Sequence, residues 1–326
     1  MRAPIILMCA FGVVGGGAGA DEGVGLSPGQ KMLAPITFRQ LVIFPVIQTA
    51  AGLDKTQYMT LSEGLHKKLV AVSEVGGGGS VNTLLVTNKS ERPLLILGGE
   101  VVLGGQQDRI LGQDTIIPAH EEMRVQVFCV EHGRWSGGRQ FSAAQGMADT
   151  KIRVRAKYRA DQSQVWAEVA KKNAAHGVAA ATGTYRNLAA GAEGKAALAP
   201  YREHIGATLG KLPEAKKVVG VVAAINGRVT SVELFARPEL FAAYRDKLLD
   251  SIYMGASDSA PQAGAVPPAP AAVGEFLKKA KAAPARTVDR TKAGATVEQL
   301  GDGVAGSQLR AADAPDTSVY ESYQLR

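Results

Sequence analysis

Residues 94–135 read LLILGGEVVLGGQQDRILGQDTIIPAHEEMRVQVFCVEHGRW. Short apolar runs alternate with glycine, proline and polar clusters, the punctuation of β-strands rather than of helices. Leu94–Leu97 is apolar on both faces, which predicts an interior strand. Two glycine pairs follow, Gly98-Gly99 and Gly104-Gly105, and polar side chains stand directly after each: Glu100 after the first, Gln106 and Gln107 after the second. Glycine within β-structure marks a bulge or the close approach of another backbone or a ligand. In MRVQVFCV, Met123, Val125, Val127 and Cys129 share one face, and one more step of that parity sets Glu131 inward.

Upstream, QLVIFPVI is broken by Pro45, which suits an edge strand or a strand end. In YMTLSEGLHKKLV, Thr60 and Glu63 form a capping box, and Leu61, Leu65 and Leu69 line one helical face. LVAVSEV and SVNTLLVT flank Gly76–Gly79 and predict a hairpin. Downstream the pattern turns helical. Asp161 caps a helix that Gly177 stops, Thr182 to Gly194 is loop-like, and Leu198, Tyr201, Ile205 and Leu209 share a face. Asn226-Gly227 predicts a two-residue type I′ turn between VVGVVAAI and RVTSVELF, and Pro238 opens a further helix. Ser257–Val273 is rich in alanine and proline and predicts an extended linker. GEFLKKAKAA predicts a short helix, and SVYESYQLR alternates like a last strand returning to the main sheet. The fold class is α+β: a largely antiparallel β-sheet or sandwich in the first half, helices and a β-hairpin in the second. The expected organisation is a signal peptide over 1–20, an α+β domain over 33–256, a linker over 257–273 and a C-terminal helix and strand over 274–326.

The signal peptide rests on Arg2, the apolar run from Ile5 to Val14 and Ala18-Gly19-Ala20, with cleavage after Ala20. No apolar run reaches the roughly 20 residues that a membrane span needs. Of the two cysteines, Cys9 leaves with the signal and Cys129 remains, so the expected exported protein has no internal disulfide and rests on its core. A lone thiol in an oxidising compartment survives best when buried. The net charge of +7 is too modest for a nucleic-acid coat. Part of it lies in KIRVRAKYR, where Lys151, Arg153, Arg155, Lys157 and Arg159 alternate, a stripe that reads first as a solvated face and second as an anion contact.

The CVEHGRW motif at 129–135 carries the chemistry. An inward Glu131 needs a partner, and Arg134 or Arg109 can meet it through a two-bond fork. In the plainer reading Glu131 and Arg134 staple a turn, Cys129 fills space, Trp135 caps the core and His132 faces solvent. In the sharper one Glu131 and Glu100 are an acid–base pair separated in pKa by burial. A Cys129–His132 nucleophile is disfavoured, because a strand sends residues three apart to opposite faces and no helix start lowers the thiol pKa. HEEMR at 120–124 has Arg124 where a zinc-protease helix needs its second histidine, so no metal site is expected. No G-x-G-x-x-G or P-loop marks a nucleotide cofactor, and the cofactor stays unassigned.

The block LLVTNKSERPLLILGGEVVLGGQQDRIL…IIPAHEEMRVQVFCVEHGRW resembles the ADP-ribosylglycohydrolase (ARG) and rhodanese-phosphatase-superfamily-associated domain family. The matching residues are Gly99 and Glu100, Gln107 and Arg109, and Cys129 through Trp135, with further similarity from Phe38 to Tyr253 and in the last strand. Asp108 stands where that family usually has asparagine, and His132 where glutamine is commoner. The resemblance implies contextual association with ADP-ribose and NAD-derived nucleotides, without an established reaction. Two functions are expected from residues and resemblance together. The first is an exported domain binding, and in its stronger form hydrolysing, a small polar ligand of phosphorylated or nucleotide-sugar type. In it Glu100 and Glu131 serve as catalytic groups, and Gln107, Asp108, Arg109, His132, Arg134 and Trp135 hold the ligand. The second is a non-catalytic envelope module that binds a protein or polymer partner.

Overall fold

The computed structural model describes residues 24–326 except 51, 53, 77–81 and 180, with the side chains of 143 and 145 also outside the description. The signal-peptide stretch 1–20 and the glycine tip at 77–79 therefore lie outside the described residues. The first half is largely antiparallel, as expected, with one short parallel pair, Met59–Thr60 beside Leu94–Ile96, and six of its strands close on themselves. Around the resulting barrel run Glu122–Cys129, Thr83–Asn88, Val70–Glu74, Gln140–Met147, Glu100–Gly104 and Arg109–Leu111, the last pairing again with Glu122–Cys129. Period-two alternation builds it. Val70, Val72, Leu84, Val86, Val102, Leu111, Val125 and Val127 fill one cluster. The alternate residues Val101, Ile110, Phe128 and Val130 join the main core against the helices. Closure removes the open edges that short strands would otherwise expose.

The second β-layer is a nine-stranded sheet that draws on both ends of the chain. Its order is Gln30–Met32, Leu41–Gln48, Val218–Ile225, Arg228–Phe235, Ala314–Leu325, Val304–Ala311, Gly294–Gly301 and Ala285–Arg290, with Ile36–Phe38 also paired to Leu41–Gln48. At the Asn226-Gly227 turn both residues have positive φ, 50° and 76°, as a type I′ hairpin requires. The Pro45 strand is not an edge. It lies between Val218–Ile225 on one side and the two short N-terminal strands on the other. Proline is tolerated because its carbonyl, and hence its missing N–H, faces the gap where the chain crosses from Met32 to Ile36. The 20-residue helix Pro238–Ser257 joins the layers: the Tyr244 hydroxyl donates to Leu95 O at 2.8 Å and Ser251 to Ala148 O at 2.6 Å.

The basic stripe departs from its expectation. It forms the helix Thr150–Val154 and one π-helical turn, Arg155–Arg159, so Arg153 and Lys157 stack one turn apart and both are buried. Arg153 Nη1 lies 2.8 Å from Glu233 Oε1, and Lys157 Nζ lies 2.8 Å from Asp114 Oδ2 and 3.1 Å from Ser307 Oγ. Burial favours the neutral amine of Lys157, but the Asp114 carboxylate outweighs it and raises the pKa. These two side chains also explain the first glycine pair. A Cβ at Gly98 would sit 2.8 Å from Lys157 Cδ, and one at Gly99 would sit 2.6 Å from Arg153 Cγ.

Other differences have local causes. Thr184 caps a six-residue helix, Tyr185–Ala190, in the stretch read as a loop; it is too short to display a helical period. Residues 258–269 are irregular, but the Ala/Pro-rich stretch ends early because Pro270 starts the helix Pro270–Lys281. The strands Ala285–Arg290, Gly294–Gly301 and Val304–Ala311 escaped the sequence reading because their inward positions include polar Thr296, Glu298 and Ser307.

Candidate functional site

Strand parity brings three unlike residues to one end of the barrel. Glu74 continues the row of Val70 and Val72, Arg109 that of Leu111, and Cys129 that of Val125 and Val127, and all three are buried. Register places Arg109 opposite Val102 on one side and Cys129 on the other. Arg109 Nη2 lies 3.3 Å from Glu74 Oε1, which also accepts the Gln106 N–H at 3.1 Å. Arg109 Nη1 reaches Gln107 Oε1 at 3.5 Å, and Gln107 Nε2 donates to His132 O at 3.3 Å. The second glycine pair accommodates this cap: Gly105 has φ +57°, and a Cβ there would fall 2.7 Å from Glu74 Oε1.

A second tier lies over the first. Of the two arginines the sequence offered, Glu131 takes Arg134: its Oε2 accepts Arg134 Nε at 2.8 Å, and its Oε1 accepts the Thr182 hydroxyl at 2.7 Å. Asp108 Oδ1 accepts the Gly104 N–H at 2.9 Å and Arg134 Nη2 at 3.3 Å. Arg186 forks onto Asp108, with Nη2–Oδ1 at 2.7 Å and Nε–Oδ2 at 2.9 Å. Glu74, Asp108 and Glu131 thus interleave with Arg109, Arg134 and Arg186. Burial opposes ionisation of Glu131, but the Arg134 and Thr182 hydrogen bonds outweigh it and hold the carboxyl below its ordinary range. Burial pushes the Cys129 thiol up; Arg109 opposes this.

The network meets solvent at a few points. The Arg186 side chain is 44% exposed and that of Arg134 26%. Arg186 also lines a cleft of about 510 Å³ with Val178, Asn187 and Glu193. Trp135 does not cap the core. It is 51% exposed, with its ring centre 5.7 Å from the Arg109 guanidinium carbon. His132 is exposed and packs edge-on against Trp166 at 4.4 Å.

Glu100 stands apart from this cluster. It is buried, accepts Lys247 Nζ at 2.6 Å and the Leu97 N–H at 2.9 Å, and begins the strand whose far end, Gly104, touches Asp108. Four residue steps along the strand separate the two ends, about 13 Å. Glu100 and Glu131 share no partner in these networks, and the structure does not bring them together as a pair. His120 bonds to exposed Glu91, and among the described residues no group of three or more His, Cys, Asp or Glu could hold a metal ion. Sequence reading missed Glu74, Thr182 and Arg186. Glu74 was detectable, since VAVSE alternates it inward; nothing local marks the other two.

Fold and site define an α+β domain in which a closed antiparallel barrel, capped by an arginine–carboxylate cluster, is joined to a large antiparallel sheet. The chain belongs to the ARPP-1 family, the ARG and Rhodanese-Phosphatase-superfamily-associated Protein domain, whose model matches residues 29–323. That span runs from the first strand into the last, so barrel and sheet together are the family domain. No curated protein and no solved structure matches the chain.

Proposed function

We propose that the domain binds a small anionic ligand of the phosphorylated or nucleotide-sugar type at the barrel mouth, and that it holds this ligand without acid–base chemistry. Arg186 carries the reading: it is anchored by a fork on buried Asp108 and also lines a cleft large enough for a small molecule, whose other walls come from 177–179 and 187–193. Guanidinium groups match phosphate and carboxylate geometry, and a half-exposed tryptophan offers a stacking face. Holding rather than turnover is favoured because Arg134 and Thr182 occupy both oxygens of Glu131 and hold its pKa down, which leaves it neither a proton donor nor a strong base. A thermal-shift panel of ADP-ribose, NAD, mononucleotides and sugar phosphates tests it. A ligand at about 100 times its Kd adds roughly 2.7 kcal/mol. Loss of the shift in Arg186→Ala and Trp135→Ala supports the site, and a shift kept in both removes it.

Exposed Trp135 favours a second reading, the envelope module with a protein partner, since tryptophan is enriched at binding hot spots. A stoichiometric partner lost in Trp135→Ala, with a flat ligand panel, would replace the first reading. Export belongs to the proposal: N-terminal sequencing of the protein from the envelope fraction should begin at Asp21, and an intact Met1 would rule out cleavage after Ala20.

A further inference from the structure

Away from the barrel mouth, a groove follows one face of the Pro238–Ser257 helix where it meets the segment 198–212. It consists of two cavities that share Arg245 as a wall. The first, about 430 Å³, is lined by Arg202, Gly206, Arg245, Leu249, Asp250 and Tyr253. The second, about 300 Å³, is largely apolar, with Leu209, Val218, Phe241 and Ala242 in its wall and one charge of each sign, Lys216 and Glu239, also lining it.

The floor of the first cavity holds an unmet polar group. Tyr253 is 1% exposed, and its hydroxyl has no hydrogen-bond partner among the described residues. Its ring is stacked on Tyr201, with centroids 5.6 Å apart. The hydroxyl lies against Gly206, where an added Cβ would come to 3.6 Å. A buried hydroxyl left unpaired costs free energy, and a ligand acceptor would offset that cost. Burial, and then Asp250, push the phenol pKa up, so it remains a donor.

The rim selects the acceptor. Arg202 is closed onto Asp250 by two bonds of 2.7 Å. Among the described residues Arg245 pairs with Asp246, its neighbour in sequence, whose side chain is 82% exposed; such a pair contributes little. The rim therefore offers an exchangeable guanidinium beside two carboxylates, which suits one negative charge and repels two. The apolar second cavity opens on the other side of the same arginine.

We propose that this groove binds an amphiphilic monocarboxylate. One carboxylate oxygen accepts the Tyr253 hydroxyl, the charge lies beside Arg245, and the hydrocarbon follows the helix towards Phe241. Phe241 and Tyr253 are twelve residues apart on it, about 18 Å.

Isothermal titration of the full chain with sodium octanoate tests this, with octyl phosphate and 1-octanol as comparators. Octanoate should bind more tightly than both. Tyr253→Phe should weaken it about tenfold, the loss expected for one hydrogen bond to a charged group. Gly206→Leu, which fills the cavity from a helical position, should abolish binding while the melting transition stays cooperative. Trp135→Ala should leave it unchanged, so this site and the barrel mouth fail or succeed separately. Absence of octanoate binding to the folded protein overturns the proposal. So does equal affinity for 1-octanol, or full affinity in Tyr253→Phe.

Discussion

Glu131→Gln is the most informative single substitution. The amide keeps the shape of the carboxylate, so no cavity forms; with its one oxygen towards Arg134, its NH2 donates to the Thr182 hydroxyl, which turns to accept. What disappears is charge at an atom 2.8 Å from Arg134. Removing one member of a fully buried ion pair costs about 3–5 kcal/mol. Here the cost is smaller, because Arg134 is 26% exposed and retains Asp108 and the Gly105 and Ser136 carbonyls. A charged hydrogen bond contributes roughly 1.5–3 kcal/mol and a neutral one roughly 0.5–1.5, so the exchange should cost about 1.5 kcal/mol. For a chain of this size that lowers Tm by about 3 °C. The pH dependence is the sharper test. The folded pKa of Glu131 is depressed, so its contribution is complete above its unfolded value, near 4.3, and is lost as pH falls through the folded value. Urea unfolding of the native protein and the variant should therefore differ most at pH 7, and the gap should narrow below about pH 4. A gap as large at pH 3 as at pH 7, or none at pH 7, refutes the pairing argument.

Lys157→Met strands Asp114, a buried carboxylate whose cation it removes, and should cost about 3–5 kcal/mol in denaturant unfolding. A loss under 1 kcal/mol would mean that water reaches Asp114. Gly105→Ala sets a Cβ 2.3 Å from Phe141 Cζ at positive φ and should destabilise by about 2–3 kcal/mol, measured by the same unfolding assay. Cys129 is fully buried and burial raises its pKa, so a thiol reagent at pH 8 should label it only after unfolding. Rapid labelling of the native protein would contradict this burial.

Where function is concerned, the two glycine pairs show how far local reading reaches. Each was legible as a place of close approach, and each is one, but the approaching groups differ. Arg153 and Lys157 crowd the first; Phe141 and Glu74 crowd the second. Their identity depends on which strands and helices pack together, information that no short window contains. The basic stripe failed for the same reason. Alternating charges in sequence look solvated, and only carboxylates 43 and 80 residues away, Asp114 and Glu233, make burial of Lys157 and Arg153 tolerable.

By itself the sequence determined the elements whose cause is local: the Thr60 cap, the Asn226-Gly227 turn, the Pro238 helix start, and the inward parity that buries Cys129 and Glu131. Those features follow from backbone stereochemistry and side-chain period, which act over a few residues. Tertiary structure alone decided that the first-half strands close into a barrel and that Pro45 lies inside a sheet. It also decided that Glu131 chooses Arg134, that Arg109 chooses Glu74, and that Arg186 joins them from a helix 78 residues beyond Asp108. A buried charge takes the counter-charge that the closed fold brings within hydrogen-bond reach, and that choice exists only once the distant strands have met.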